Sequence, residues 1–111
     1  MDITYKMEMP GKKEYYELFL STGWNEEYHC NPEELEKAND GSAFVLAAYD
    51  NGTLVGFGRV VSDMVLHAMV YDMIVLPEYQ GRGIGSSILN ALVQRCREHN
   101  VTVRQKGCKR V

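Results

Sequence analysis

Three glycines at alternate positions, Gly81, Gly83 and Gly85, stand in the stretch LPEYQGRGIGSS, residues 76–87, between an apolar run and an amphipathic one. A glycine-rich turn that opens a helix leaves backbone N–H groups unpaired and lets another molecule approach the main chain, so the chemistry it suggests is phosphate binding. Spacing separates the kinds of phosphate site. A P-loop requires G-x-x-x-x-G-K-[ST], and no Lys-Ser or Lys-Thr occurs in the chain. A dinucleotide fingerprint G-x-G-x-x-G begun at Gly81 requires glycine where Ser86 stands. Its acidic partner about 20 residues later would fall in an acid-free tail. The pattern satisfied is Q-x-x-G-x-G, with Gln80, Gly83 and Gly85.

Other reactive groups are few. Cys30, Cys96 and Cys108 are odd in number and form no C-x-x-C pair, so reduced thiols are expected, with neither a disulfide framework nor a metal site. All 15 acidic residues lie at or before Glu98, whereas Arg104, Lys106, Lys109 and Arg110 crowd the last eight positions. Without those four, eight basic residues face 15 acidic ones, which argues against nucleic acid as a partner.

The elements that must position the turn are legible from period and punctuation. The 111 residues predict one domain, and the 45% apolar, 24% charged composition is that of a globular chain with a core. Ile3, Tyr5, Met7 and Met9 alternate with polar residues as in a half-buried strand, which Pro10-Gly11 stops. Tyr15, Leu18 and Phe19 predict a helix from Lys12 to about Ser21. Asn31-Pro32-Glu33-Glu34 predicts a second, reaching about Asn39, with Trp24 to His29 as the link between them. Residues 43–49 and 53–62 flank Asp50-Asn51-Gly52 and predict a hairpin, with Gly56 and Gly58 marking a bulge or a close backbone approach. Residues 66–76 predict a mid-sheet strand broken by His67 and Asp72. Ile84, Ile88, Leu92 and Cys96 repeat every fourth residue and predict a long helix to about His99, followed by a strand near Val101–Val103. Tyr15, Tyr16 and the methionines are expected in the core. The longest apolar run, 43–49, is too short to cross a bilayer, so a cytoplasmic protein with no membrane partner is expected.

The segment from Asp72 to Gly85, DMIVLPEYQGRGIG, closely resembles the acetyl-CoA motif of the GNAT N-acetyltransferases, and the order of elements over about residues 2–103 is similar to theirs. The resemblance implies an α/β (α+β) fold: a central, mostly antiparallel sheet flanked by helices. It implies a domain over 1–103 with a basic tail over 104–111, and an ending that lacks the family's last helix and strands. Acetyl-CoA would be held by backbone N–H groups from Gly81 to Ser86, with Gln80, Arg82, Ile84 and Gly85 in the same turn. Backbone groups of Met73, Ile74 and Val75 would pair with the pantetheine amides like an added strand.

Acetyl transfer to an amine needs a neutral amine, donors for an oxyanion and a proton for the departing thiolate. The resemblance places the oxyanion near the Val75 N–H. Asp72 and His67 are the candidate bases on the main strand. The family's tyrosine acid has no counterpart, since all seven tyrosines lie at or before Tyr79. The first 40 residues carry ten acidic and four basic groups, and Trp24, Tyr28 and His29 would lie over the acceptor pocket, so a small cationic primary amine is the expected acceptor. A second reading is a domain that binds coenzyme A without turnover, or that associates with a partner or a second copy through an exposed sheet edge.

Overall fold

The computed structural model describes residues 2–104. Strands β1 (Ile3–Lys6), β2 (Phe44–Asp50), β3 (Thr53–Ser62), β4 (His67–Val75) and β5 (Thr102–Arg104) form one sheet in the order β1-β2-β3-β4-β5. Its first three pairings are antiparallel and β4–β5 is parallel. Helices α1 (Lys12–Leu20), α2 (Asn25–Tyr28) and α3 (Pro32–Asp40) precede β2, and α4 (Ile84–Glu98) lies between β4 and β5. The basic tail expected from the sequence lies, beyond Arg104, outside the described residues. Among those described, no helix is long and apolar enough to cross a membrane.

Two apolar layers hold the helices to opposite faces of the sheet. Ile84, Ile88, Leu92 and Cys96 of α4 are all buried and pack on Leu46, Val60, Val70, Met73 and Val75. Tyr15, Leu18 and Phe19 of α1, with Leu35 of α3, cover Ala47, Leu54, Phe57 and Ile74 on the other face. Ile88 and Leu92 are 0% exposed, and each such burial stabilises the fold by roughly 1.5–3 kcal/mol. Helix α3 starts where the sequence says: Asn31 Oδ1 accepts from the Glu34 N–H at 2.8 Å, and Glu34 Oε1 accepts from the Asn31 N–H at 2.9 Å.

The hairpin forms at Asn51-Gly52, both at positive φ. Gly58 is the close approach: a Cβ there would stand 2.7 Å from Met73 Sδ and 2.8 Å from Ile88 Cγ2. Three expectations are corrected. The first strand spans only Ile3–Lys6, because among the described residues β1 is an edge strand paired with β2 alone, and Tyr5 and Met7 are exposed. The link after α1 contains the short helix α2, which begins at Asn25, whose side chain both donates to the Cys30 carbonyl and accepts from its N–H. Met73 is a core residue, but Met7 and Met64 are exposed.

Candidate functional site

Strand β4 runs directly into a short 3-10 turn, Pro77–Tyr79, and then into the glycines. Gly81 and Gly83 have φ of +77° and +83°, and among the described residues a Cβ at either would meet no atom within 4 Å, so the space above the turn is open there. Gly83 is also the N-cap of α4 and supplies no side-chain cap; the first turn of α4 holds no acidic residue. The first intrahelical bond closes from the Ser87 N–H to the Gly83 carbonyl at 3.0 Å, which leaves the N–H groups of Ile84, Gly85 and Ser86 as the helix's orphan donors. With the positive end of the helix dipole behind them, these donors fit a pyrophosphate. Ser86 is exposed, whereas Ile84 is buried and anchors the helix start in the core. The Gln80 side chain donates through Nε2 to the Val75 carbonyl at 2.9 Å, tying the turn to the end of β4. Arg82 stands with its guanidinium carbon 5.8 Å from the Tyr79 ring centre.

Beyond Met69, β4 pairs only with β3 among the described residues, since the β4–β5 register covers His67–Met69. The Leu76 N–H donates to the Val55 carbonyl at 2.9 Å, so strand alternation turns the backbone groups of Val75 and Met73 to the opposite edge. Ile74, the partner of Phe57, faces inward by the same rule. The turn and the outer edge of β4 thus form one continuous line of backbone groups, in which the Val75 carbonyl already accepts from Gln80 Nε2.

Asp72 sits at a bulge. Phe57 pairs with Ile74 and Arg59 with Tyr71, so Gly58 opposes both Asp72 and Met73, and Asp72 takes φ +54°. Its Oδ2 accepts from Arg59 Nε at 2.7 Å. Arg59 Nη1 donates in turn to the Ala38 carbonyl and to Ser42 Oγ, both at 3.2 Å. Tyr15 and Asn39 complete this half-buried polar cluster. Burial, and then the Asp72 charge, hold the Tyr15 phenol well above the usual range. The Asn39 amide stands beside that hydroxyl and favours its ionised form, but Asn39 Nδ2 reaches hydrogen-bond geometry with no partner among the described residues, though the residue is only 3% exposed.

The other expected site residues lie elsewhere. His67 is exposed at the start of β4, five residues and so roughly 16 Å of strand from Asp72. Trp24 packs edge-on against Phe19 with ring centres 5.7 Å apart, while Tyr28 is 65% exposed, and His29 closes α2 with φ +55°. Arg59 and Asn39 escaped the sequence reading. The available sign was a lone charge, Arg59, in an otherwise apolar strand, but its pairing with Asp72 depends on a register that periodicity does not show.

The profile of the acetyltransferase (GNAT) family matches residues 11–109. A GNAT family acetyltransferase from Streptococcus pneumoniae is 31% identical, with a TM-score of 0.76 over 97% of this chain and 79% of that one. An aminoglycoside 6′-N-acetyltransferase complexed with coenzyme A is 22% identical, with a TM-score of 0.72 over 91% of this chain and 58% of that one, a likeness of fold. GCN5-related N-acetyltransferase 3, chloroplastic, of Arabidopsis thaliana is 52% identical over 44 residues, 40% of this chain and 19% of that protein. The matched segments span less than a third of the first curated relatives. The five-stranded mixed sheet with helices on both faces is the fold these structures share, as the resemblance implied. With a family match over most of its length and that architecture beneath it, the chain belongs to the acetyltransferase (GNAT) family.

Proposed function

We propose that this chain transfers an acetyl group from acetyl-CoA to the primary amine of a small molecule. The observation that carries the reading is the continuous line formed by the uncapped N-terminus of α4, the two positive-φ glycines and the outward-facing backbone of Met73 and Val75. Coenzyme A in the similar aminoglycoside acetyltransferase supports the choice of ligand. Gly81 to Ser86 would hold the pyrophosphate and Met73 and Val75 the pantetheine arm. Bound acetyl-CoA supplies the acetyl group as a thioester. The Val75 N–H, turned to the outer edge, is the donor for an oxyanion there.

Asp72 is engaged by Arg59 and His67 is remote, so in this reading the cationic amine first gives up a proton to bulk water and attacks as the neutral amine; its second proton passes through water to the departing thiolate, which leaves as the thiol of coenzyme A. A cationic acceptor is supported by the cavity of about 310 Å³ where α1 meets the hairpin, lined by Glu14, Glu17, Leu18 and Leu54 and reaching Leu76 at the mouth of the glycine turn. A cytoplasmic site of action, no nucleic-acid or membrane partner, and pairing of two copies along the β5 edge belong to the same proposal. Thermal unfolding with and without acetyl-CoA, followed by thiol release with a panel of primary amines, tests it. Stabilisation together with release supports the reading. Stabilisation without release leaves a coenzyme A-binding domain, and no stabilisation at millimolar ligand overturns both.

A further inference from the structure

We infer that Arg59 is a positioning residue for acetyl transfer, acting through Asp72 to hold the β4 bulge that aims the Met73 and Val75 backbone at the outer edge. The inference rests on the proposed transferase reading for its kinetic consequence, but not for its structural one.

The bulge reverses which residues face α4. Ala68 and Val70 belong to the layer under α4, and so do Met73 and Val75, whereas Ile74 belongs to the layer under α1. Even numbers face α4 before the bulge and odd numbers after it, and a one-residue slip would exchange these sets. Without the bulge, Ile74 and Leu76 would face α4, and the backbone of Ile74 would take the outward direction that Met73 and Val75 hold. The extra residue is an aspartate in the left-handed region, where a Cβ is strained and glycine is the usual occupant. Something must hold it there. Arg59 lies across the strand pair, and its guanidinium grips three groups at once: Asp72 on β4, the Ala38 carbonyl at the end of α3, and Ser42 in the loop before β2. The guanidinium carbon also lies 5.9 Å from the Tyr71 ring centre, on the residue just before the bulge. A planar fork with five fixed donors can span these partners, and an ammonium cannot. Oδ2 of Asp72 is thereby committed to the bridge, which casts Asp72 as the bulge residue that Arg59 holds.

The test uses the whole chain and four variants: Arg59→Met, Arg59→Lys, Asp72→Gly, and the double variant Arg59→Met with Asp72→Gly. Glycine adopts the bulge conformation without help, so the double variant no longer needs the bridge. Expected first, in thermal unfolding alone, is that each single variant melts below wild type and the double variant melts above Arg59→Met. That cycle reads the bridge whether or not the chain is an enzyme. Expected second, at a temperature where every variant is folded, is a kcat for Arg59→Met and Arg59→Lys about 10- to 100-fold down with KM for acetyl-CoA changed far less, and recovery of most of that loss in the double variant. Activity lost in both variants that carry Asp72→Gly would make Asp72 a proton-transfer group and overturn the inference. An unchanged kcat in folded Arg59→Met would overturn it as well. If wild-type protein neither binds acetyl-CoA nor releases thiol, the transferase reading fails, while the melting cycle still decides whether Arg59 holds the bulge.

Discussion

The Tyr79 hydroxyl donates a 2.6 Å hydrogen bond to Asp50 Oδ2, joining residues 29 apart in sequence. Asp50 ends β2 at the hairpin and Tyr79 ends the 3-10 turn that feeds the glycines, so the bond fixes the entry of the glycine turn to a corner of the sheet. Arg82 lies over the same ring. Tyr79→Phe keeps the ring and removes only this bond. Its expected effect is a loss of coenzyme A affinity of roughly tenfold, as for one hydrogen bond to a charged group, with the secondary structure unchanged. Isothermal titration calorimetry measures it, and unaltered affinity would show that the bond merely stabilises the hairpin.

Two glycines should answer substitution in opposite ways. At Gly58, a methyl group would fall 2.7 Å from Met73 Sδ and 3.1 Å from Leu92 Cδ1 in the packed layer under α4. Gly58→Ala is therefore expected to lower the unfolding free energy by about 1–3 kcal/mol through overpacking. At Gly83, the space is open but φ is +83°, so Gly83→Ala costs about 1–2 kcal/mol of backbone strain and also puts a methyl group where the pyrophosphate would lie. Urea unfolding with and without coenzyme A separates the two. Stabilisation by the ligand should survive at position 58 and fail at position 83.

The order of elements was legible because their periods and stops are strong. The i+4 stripe of Ile84, Ile88, Leu92 and Cys96, the Asn31 cap and the Asn51-Gly52 turn each predict what the structure shows. The glycine turn was legible for the same reason, since positive φ and an uncapped helix start leave a mark in residue types. The long-range polar contacts were not. Arg59 and Asp72 become partners only through a bulged register, and Tyr79 meets Asp50 only after the sheet and the turn are both in place. Exposure at the edge was hidden too. Tyr5 and Met7 alternate like half-buried residues, yet among the described residues β1 has one neighbour and both side chains are exposed.

Alkaline pH should destabilise the domain through the tyrosines whose pKa the fold raises, Tyr15, Tyr49 and Tyr79. Burial, with the Asp72 charge adding to it, raises the Tyr15 pKa, and the hydrogen bond to Asp50 is the main cause of a raised pKa at Tyr79. A phenol raised in the folded state contributes its full stability below the ordinary value of about 10, and loses it as pH rises through the folded value. The melting temperature is therefore expected to fall progressively above about pH 10, and Tyr15→Phe should flatten that fall. On the acid side the sign reverses. Backbone N–H groups of Val65 and Leu66 hold the Asp63 carboxyl below its usual range, so its contribution is present above about pH 4 and disappears as pH drops further. Melting curves across pH for wild type, Tyr15→Phe and Asp63→Asn measure both limbs.

Asn39 presents the last case, a buried amide whose Nδ2 lacks a partner among the described residues. Such a group loses its water on folding and gains little in return, so an apolar side chain of similar size should be tolerated there. Asn39→Leu is expected to leave the unfolding free energy within about 1 kcal/mol of wild type, or to raise it. Asn39→Asp has nearly the same shape but would bring a second carboxylate into a cluster that already holds Asp72. Burial and like charge would raise the pKa of the new group and destabilise the fold by about 2 kcal/mol or more at neutral pH. Lowering the pH toward about 5 should relieve that loss by protonating the new carboxyl. Urea unfolding of both variants at the two pH values provides the measurement. A large loss in Asn39→Leu would mean that the amide already serves as a donor in this cluster, with the Tyr15 hydroxyl as an acceptor.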